Sequence, residues 1–234
     1  MTQAATPDAE PEILCPRCHK IPALCVCAGV EAADSKTRLL ILQHPQEQDR
    51  ELGTARLAAL HFAKAEIKVG LSWPNLTKVL GRPADPKRWG VLFLGPIKLS
   101  AEALKRPVVV LDRQTQPFDE KKTQEILASL DGVILIDGSW SQAKTLWWRN
   151  AWLLKSWRIV LNPPWPSRYG RFRKEPRRDS VSTLEAAALI MATLEKRPEI
   201  ETRLVRSFEA LLRNYRALKS GKPAAVQEDA GKET

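Results

Sequence analysis

A largely parallel α/β sheet with helices on its faces is the fold this sequence predicts, and three observations predict it. Short apolar runs at residues 38–43, 91–94, 108–111 and 132–136 punctuate the chain. Stretches of good helix formers lie between some of them, the alternation from which parallel sheets buried on both faces are built. The chain of 234 residues is 44% hydrophobic, enough apolar material for one sizeable core and a small appendage.

The elements follow in order. Residues 1–12 and 220–234 are small, polar and rich in Pro, Ala and Glu, so they are expected to be disordered tails, with too little apolar surface to offset ordering entropy. Residues 13–30 hold every cysteine. After a polar linker, residues 38–43 read as a buried strand ending at His44-Pro45. Residues 52–64 carry Ala55, Leu57, Ala58, Leu60 and Phe62, an apolar stripe on a helix. The strand at 91–94 ends in Gly95-Pro96, the strand at 108–111 follows, and residues 118–130 read as helical. The strand at 132–136 stops at Asp137-Gly138. Ser182 and Glu185, three apart, form a capping box that opens a helix running to about residue 195. A last helix over 199–219 closes a main domain of residues 38–219. Parallel sheets bind ligands beyond the carboxyl ends of their strands, which places a small molecule near Gly95-Pro96 and Asp137-Gly138.

The charge is concentrated. Of a net +10, residues 144–178 carry ten Lys/Arg against the single acid Glu175, and residues 137–178 hold six of the eight tryptophans. Cations that neutralise phosphates, next to rings that can stack on unpaired bases, point to RNA. Helical spacing of Trp140, Ala143, Trp147 and Trp148 supports the competing reading that most of these rings are core. No apolar run reaches the 18 or so residues of a membrane span, and the first dozen residues carry no targeting pattern. The expectation is a cytoplasmic protein. No Gly-rich phosphate fingerprint is present, and no protein partner is implied.

Cys15, Cys18, Cys25 and Cys27 fall within thirteen residues. In a reducing compartment two close pairs of thiolates wrap one tetrahedral Zn²⁺ better than they form disulfides, and four sulfurs leave no open position for catalysis. A structural zinc module is expected, with His19 as a substitute ligand.

Four blocks then occur in one order. They are the cysteine cluster, His44-Pro45-x-Glu47-x-x-Arg50 with Thr54-x-Arg56, Asp137-Gly138-Ser139-Trp140-Ser-Gln-Ala-Lys144, and Ser182-Thr183-Leu-Glu185-Ala186. Over about residues 13–195 this resembles the DTW-domain tRNA-uridine aminocarboxypropyltransferases, which are related to the SPOUT superfamily. The signature there is Asp-x-Thr-Trp; Ser139 replaces the threonine and keeps its hydroxyl. The resemblance implies a SPOUT-like core, with or without a knot, and transfer of the 3-amino-3-carboxypropyl group of S-adenosyl-L-methionine to N3 of a uridine in tRNA.

It implies roles as well. Gly95, Pro96, Gly138, Ser139, Trp140, Ser182, Thr183 and Glu185 would line the donor site, Glu185 being equally explained as a cap. His44, Glu47, Arg50 and Arg56 would contact substrate. Arg168, Arg171, Arg173, Lys174, Arg177 and Arg178, around Tyr169 and Phe172, would clamp RNA. N3 of uridine is a poor nucleophile until its proton leaves, so a carboxylate base is needed, and Asp137 is the candidate. The competing role for Asp137 is a helix N-cap. Two other functions stay open: a SPOUT-type RNA methyltransferase, and a noncatalytic zinc-containing RNA-binding protein.

Overall fold

β1 (Arg38–Gln43) and β5 (Gly132–Asp137) lie side by side, in register from Arg38 against Gly132 to Gln43 against Asp137. Side chains on a strand alternate between faces. Leu39, Ile41, Val133 and Leu135 accordingly enter one apolar layer, and Leu40, Leu42 and Ile134 the other. That is why neither strand shows a polar stripe. The computed structural model describes residues 13–48, 50–93, 99–170, 172 and 181–221.

The sheet has six strands in the order β2-β1-β5-β3-β6-β4, with β2 at Ala65–Val69, β3 at Trp89–Leu92, β4 at Val108–Leu111 and β6 at Trp157–Leu161. Every pairing is parallel except that of β4 with β6. One face is covered by α1 (Ala55–Leu60), α3 (Glu120–Ala128), α5 (Thr183–Glu195) and α6 (Pro198–Ser220), which bury Leu57, Ile126, Leu184 and Phe208 in the larger layer. The other is covered by α2 (Leu76–Leu80), α4 (Trp140–Arg149) and the 3₁₀ turn Ala151–Lys155, through Leu76, Trp147 and Trp152. Leu24 and Val30 of the cysteine segment belong to the larger layer, so that segment is fastened to the main core.

The mostly parallel α/β architecture is as expected, with differences in detail. The helix expected over 52–64 is confined to Ala55–Leu60, because the chain must turn at His61 to enter β2. β2 itself escapes an apolar-run search. It is the edge strand, and its Glu66 and Lys68 pair with each other at 3.1 Å, the charged pattern that protects an exposed edge. β6 lies inside the basic stretch, where Trp157-Arg158 disguises its start. The basic stretch is therefore partly helix and strand rather than one loop. Of the three rings at helical spacing, Trp147 packs on the core, Trp140 is half-buried, and Trp148 is 77% exposed, contrary to a core role. Among the described residues no helix is long and apolar enough to cross a membrane.

Candidate active site

The carboxyl edge of the sheet brings four element ends together: the ends of β1 and β5, the start of α4 and the start of α5. Asp137, the last residue of β5, is 8% exposed. Its Oδ2 accepts a hydrogen bond of 2.8 Å from Gln43 Nε2, on the neighbouring strand end, and its Oδ1 accepts one from the Thr183 hydroxyl at the first turn of α5. Two donors from two elements fix the plane of the carboxylate. An ionised carboxylate has about four lone-pair sites, so acceptor capacity remains. Gln43 Oε1 is buried and without a partner among the described residues, which leaves a polar atom for a ligand to satisfy.

Ser139, and not Asp137, caps α4. Its hydroxyl accepts from Gln142 N at 3.4 Å while Gln142 Oε1 accepts from Ser139 N at 2.6 Å, a reciprocal capping box. The N-cap reading of Asp137 is overturned for that reason: the cap position falls two residues later. Gln142 also donates to Gln46 Oε1 at 3.1 Å, tying α4 to the loop after β1. Gly138 is required by packing, since a Cβ there would sit 2.9 Å from Gln142 Cβ. Trp140 begins α4 with Lys144 Nζ 5.3 Å from its ring centroid.

Ser182 and Glu185 form the second capping box as expected. Glu185 is fully buried. Its Oε2 accepts from Ser182 N at 2.8 Å and Ser167 Oγ at 2.9 Å, and its Oε1 from Arg168 N at 2.8 Å. This carboxylate ties Ser167 and Arg168 to the start of α5. Arg168 is fixed as well, with Nε 3.3 Å from Glu209 Oε1, Nη1 3.7 Å from Glu185 Oε1, and its guanidinium over Trp165. It ties residue 168 to α5 and α6. The two rings expected to meet RNA turn inward: Tyr169 is 1% exposed, donates to Leu52 O at 2.8 Å and packs edge-on against Phe208, while Phe172 packs edge-on against Tyr215. Burial of their apolar surface overrides the RNA-stacking role expected for them.

After β1, His44 Nδ1 accepts from Gln46 N at 3.3 Å, and the buried Glu47 lies 3.8 Å from Arg50 Nε. Arg56 sits on α1, with its Nε buried and unpartnered among the described residues. Gly95, Pro96, Arg171, Arg173, Lys174, Arg177 and Arg178 lie outside the described residues, as do both predicted tails apart from Ser220 and Gly221. The sequence reading missed Gln43 and gave no role to Thr54, whose hydroxyl accepts from Leu184 N at 3.3 Å and so joins α1 to α5. Gln43 carried one signal: it ends an apolar strand just as Asp137 does, and the two are paired in register.

At the opposite end of the chain the four cysteine sulfurs lie within 4.8 Å of one another, with Cys15 to Cys27 at 3.9 Å and Cys18 to Cys25 at 3.8 Å. Sulfurs bound tetrahedrally at about 2.3 Å from a zinc ion sit about 3.8 Å apart, so the cluster has the size of a metal cage and can hold one. Backbone N–H groups of Cys18 and Arg17 lower the Cys15 thiol to about 6, while burial raises those of Cys18 and Cys27. Four thiolates this close repel one another unless a cation neutralises them. Arg17 bridges the two pairs by donating to Cys27 O at 2.8 Å and Val30 O at 2.9 Å. His19 is outside the cage.

The molecule is thus a mostly parallel α/β protein with a buried carboxylate at the carboxyl edge of its sheet and a four-sulfur cage at its amino-terminal end. Residues 12–216 match the DTW domain, and the chain belongs to that family. It is 31% identical over 206 residues to tRNA-uridine aminocarboxypropyltransferase 2 of Macaca fascicularis, covering 84% of this chain and 61% of the relative. The protein of the same name from Drosophila melanogaster is 30% identical over 209 residues, covering 84% of this chain and 72% of that relative. The chain therefore spans less than two thirds of the macaque protein's length. No solved structure matches it.

Proposed function

We propose that this protein transfers the 3-amino-3-carboxypropyl group of S-adenosyl-L-methionine to N3 of a uridine in tRNA, releasing methylthioadenosine. The observation that carries the reading is the doubly held Asp137 at the carboxyl edge, in a chain similar to enzymes of that name. Asp137 takes the N3 proton, the N3 electron pair attacks the methylene carbon next to the sulfonium, and the carbon–sulfur electron pair leaves on sulfur. The sulfonium is neutralised as a thioether, and the proton is carried off by the carboxylate. Gln43 and Thr183 hold the base, so little reorganisation is required of it during the reaction. Gly95, Pro96, Gly138, Ser139, Trp140, Ser182 and Thr183 would form the donor site, and His44, Glu47, Arg50 and Arg56 the uridine side. Arg171, Arg173, Lys174, Arg177 and Arg178 would grip tRNA from a loop anchored by Arg168.

The cysteine cage would hold a structural Zn²⁺, with all four positions taken by sulfur and none left for substrate. Reduced cysteines suit a cytoplasmic enzyme. The test is incubation with total tRNA and labelled donor, followed by mass spectrometry of nucleosides. Aminocarboxypropylated uridine with methylthioadenosine is the expected product pair. S-adenosylhomocysteine would instead mean methyl transfer, and no turnover with intact RNA binding would mean a binding protein.

A further inference from the structure

α4 descends from the catalytic edge to the opposite, amino-terminal edge of the sheet. It starts three residues after Asp137 and hands over, through the turn Ala151–Lys155, to β6, whose Trp157 pairs with Gly90 near the start of β3. Trp140, Lys144 and Trp148 recur every four residues, so they form one stripe along the helix. Lys144 and Trp148 are exposed, Trp148 to 77%. A large ring left in water by a helix that buries Ala143 and Leu146 on its inner side is unneeded by the core.

Where this stripe ends there is a cleft of about 590 Å³ lined by Lys87, Arg113, Lys155 and Arg158, with Asp85 as its one acid. Asp85 is engaged by its own chain, accepting from Lys87 N at 3.0 Å. Arg158 Nη1 donates to Arg113 O at 3.1 Å, which orients the guanidinium. Among the described residues none of the four cations pairs with a carboxylate. Surfaces of folded proteins usually intersperse the two signs. Four cations from three separate segments, set against one carboxylate, concentrate a positive field in a concave site, and a polyanion is the complement.

Resting on the reading that the substrate is tRNA, we propose that the outer stripe of α4 and the cleft at the amino-terminal edge form one RNA-holding track. Its cleft takes backbone phosphates of a stem beside the target uridine, and its Trp148 stacks on a base or a stem end. The ten residues of α4 cover about 15 Å, which an RNA stem covers in roughly five base pairs. One RNA can therefore reach the cleft while its uridine lies at Asp137. The exposed ring decides between RNA and an acidic protein, because bases offer planar faces and acidic side chains do not.

The test uses the full-length protein, Trp148→Ala, and the triple variant Lys87→Ala/Arg113→Ala/Lys155→Ala. All four replaced side chains are exposed, so the fold should survive. Binding of full-length tRNA, of a minimal hairpin carrying the uridine and of inorganic phosphate is measured against salt, alongside transfer kinetics. The triple variant should lower the tRNA salt slope by roughly two to three, at about 0.7–0.9 per lost contact, and raise KM for tRNA at least tenfold with kcat unchanged. Trp148→Ala should weaken tRNA binding roughly tenfold. The hairpin, ending before the cleft, should be handled alike by all three proteins. Competition by millimolar inorganic phosphate at the cleft would overturn the assignment to RNA in favour of a free anion. Variants that bind tRNA with wild-type affinity and slope would overturn the track even if transfer proceeds. Absence of transfer by the wild type would count against the enzymatic reading alone, because the binding measurements decide the track without it.

Discussion

Asp137 and Glu185 are buried carboxylates at the same edge of one sheet, and each lies beside a Ser-initiated helix, yet the chain uses them differently. Glu185 meets two backbone N–H groups and a serine hydroxyl within 2.9 Å, with the Arg168 guanidinium near. Asp137 meets only two side chains, from β1 and α5, and no cation lies within ion-pair distance of it among the described residues. Glu185 ties Ser167, Arg168 and Ser182 into one framework and is spent as scaffold. Asp137, oriented by two side chains, keeps lone-pair sites open and is the proposed base.

The largest effect that separates the two should come from Glu185→Ala. It would strand three donors, one buried and two partly buried, at about 1–3 kcal/mol each, so stability should fall by about 3–5 kcal/mol, read by denaturant unfolding. The rate per folded molecule should change far less. Acid tests the comparison from outside the site. Burial, with the charge of Arg203, pushes His61 down to about 4, and its Nε2 lies 3.1 Å from Ser207 Oγ. The unfolded chain protonates this histidine near 6.5, so the native state loses stability as pH falls from 6.5 to 4, on the order of 3 kcal/mol, with no effect above that window. His61→Gln should remove most of that loss in thermal unfolding across the window. A fall in activity below pH 6.5 that persists in this variant belongs to the chemistry. The smallest effect should be Thr183→Val, which frees one oxygen of Asp137. Single-turnover transfer should slow about tenfold with tRNA affinity unchanged, as expected for losing one positioning hydrogen bond.

Much of this site could be read from sequence, and what could not has physical causes. The central strands were legible because burial on both faces makes an unbroken apolar run, and the box at Ser182 and Glu185 because a helix start has a fixed local spacing. Thr183 on Asp137 joins residues 46 positions apart, and a hydrogen bond between segments leaves no periodicity. The same holds for Glu185 on Arg168. A capping glutamate and a loop-fixing glutamate look identical in sequence, and the contact with residues 167 and 168 distinguishes them. Tyr169 and Phe172 were misread because an aromatic among arginines looks exposed until α6 brings Phe208 and Tyr215 against it. For Trp148 it is the competing core reading that fails, since helical spacing placed it with Trp147 although adjacent residues on a helix face different ways.

Whether Asp137 removes the N3 proton is tested most directly by single-turnover transfer with Asp137→Asn, followed from neutral to alkaline pH. The amide keeps the size and the contact with Thr183 but cannot take the proton. The rate should lie about 10²–10⁴ below wild type at neutral pH, with donor and tRNA affinities within a few-fold and a gap that narrows as solution hydroxide deprotonates the uracil. A variant active at the wild-type rate, or a loss carried wholly by weaker donor binding and unrelieved at high pH, would contradict Asp137 as the base.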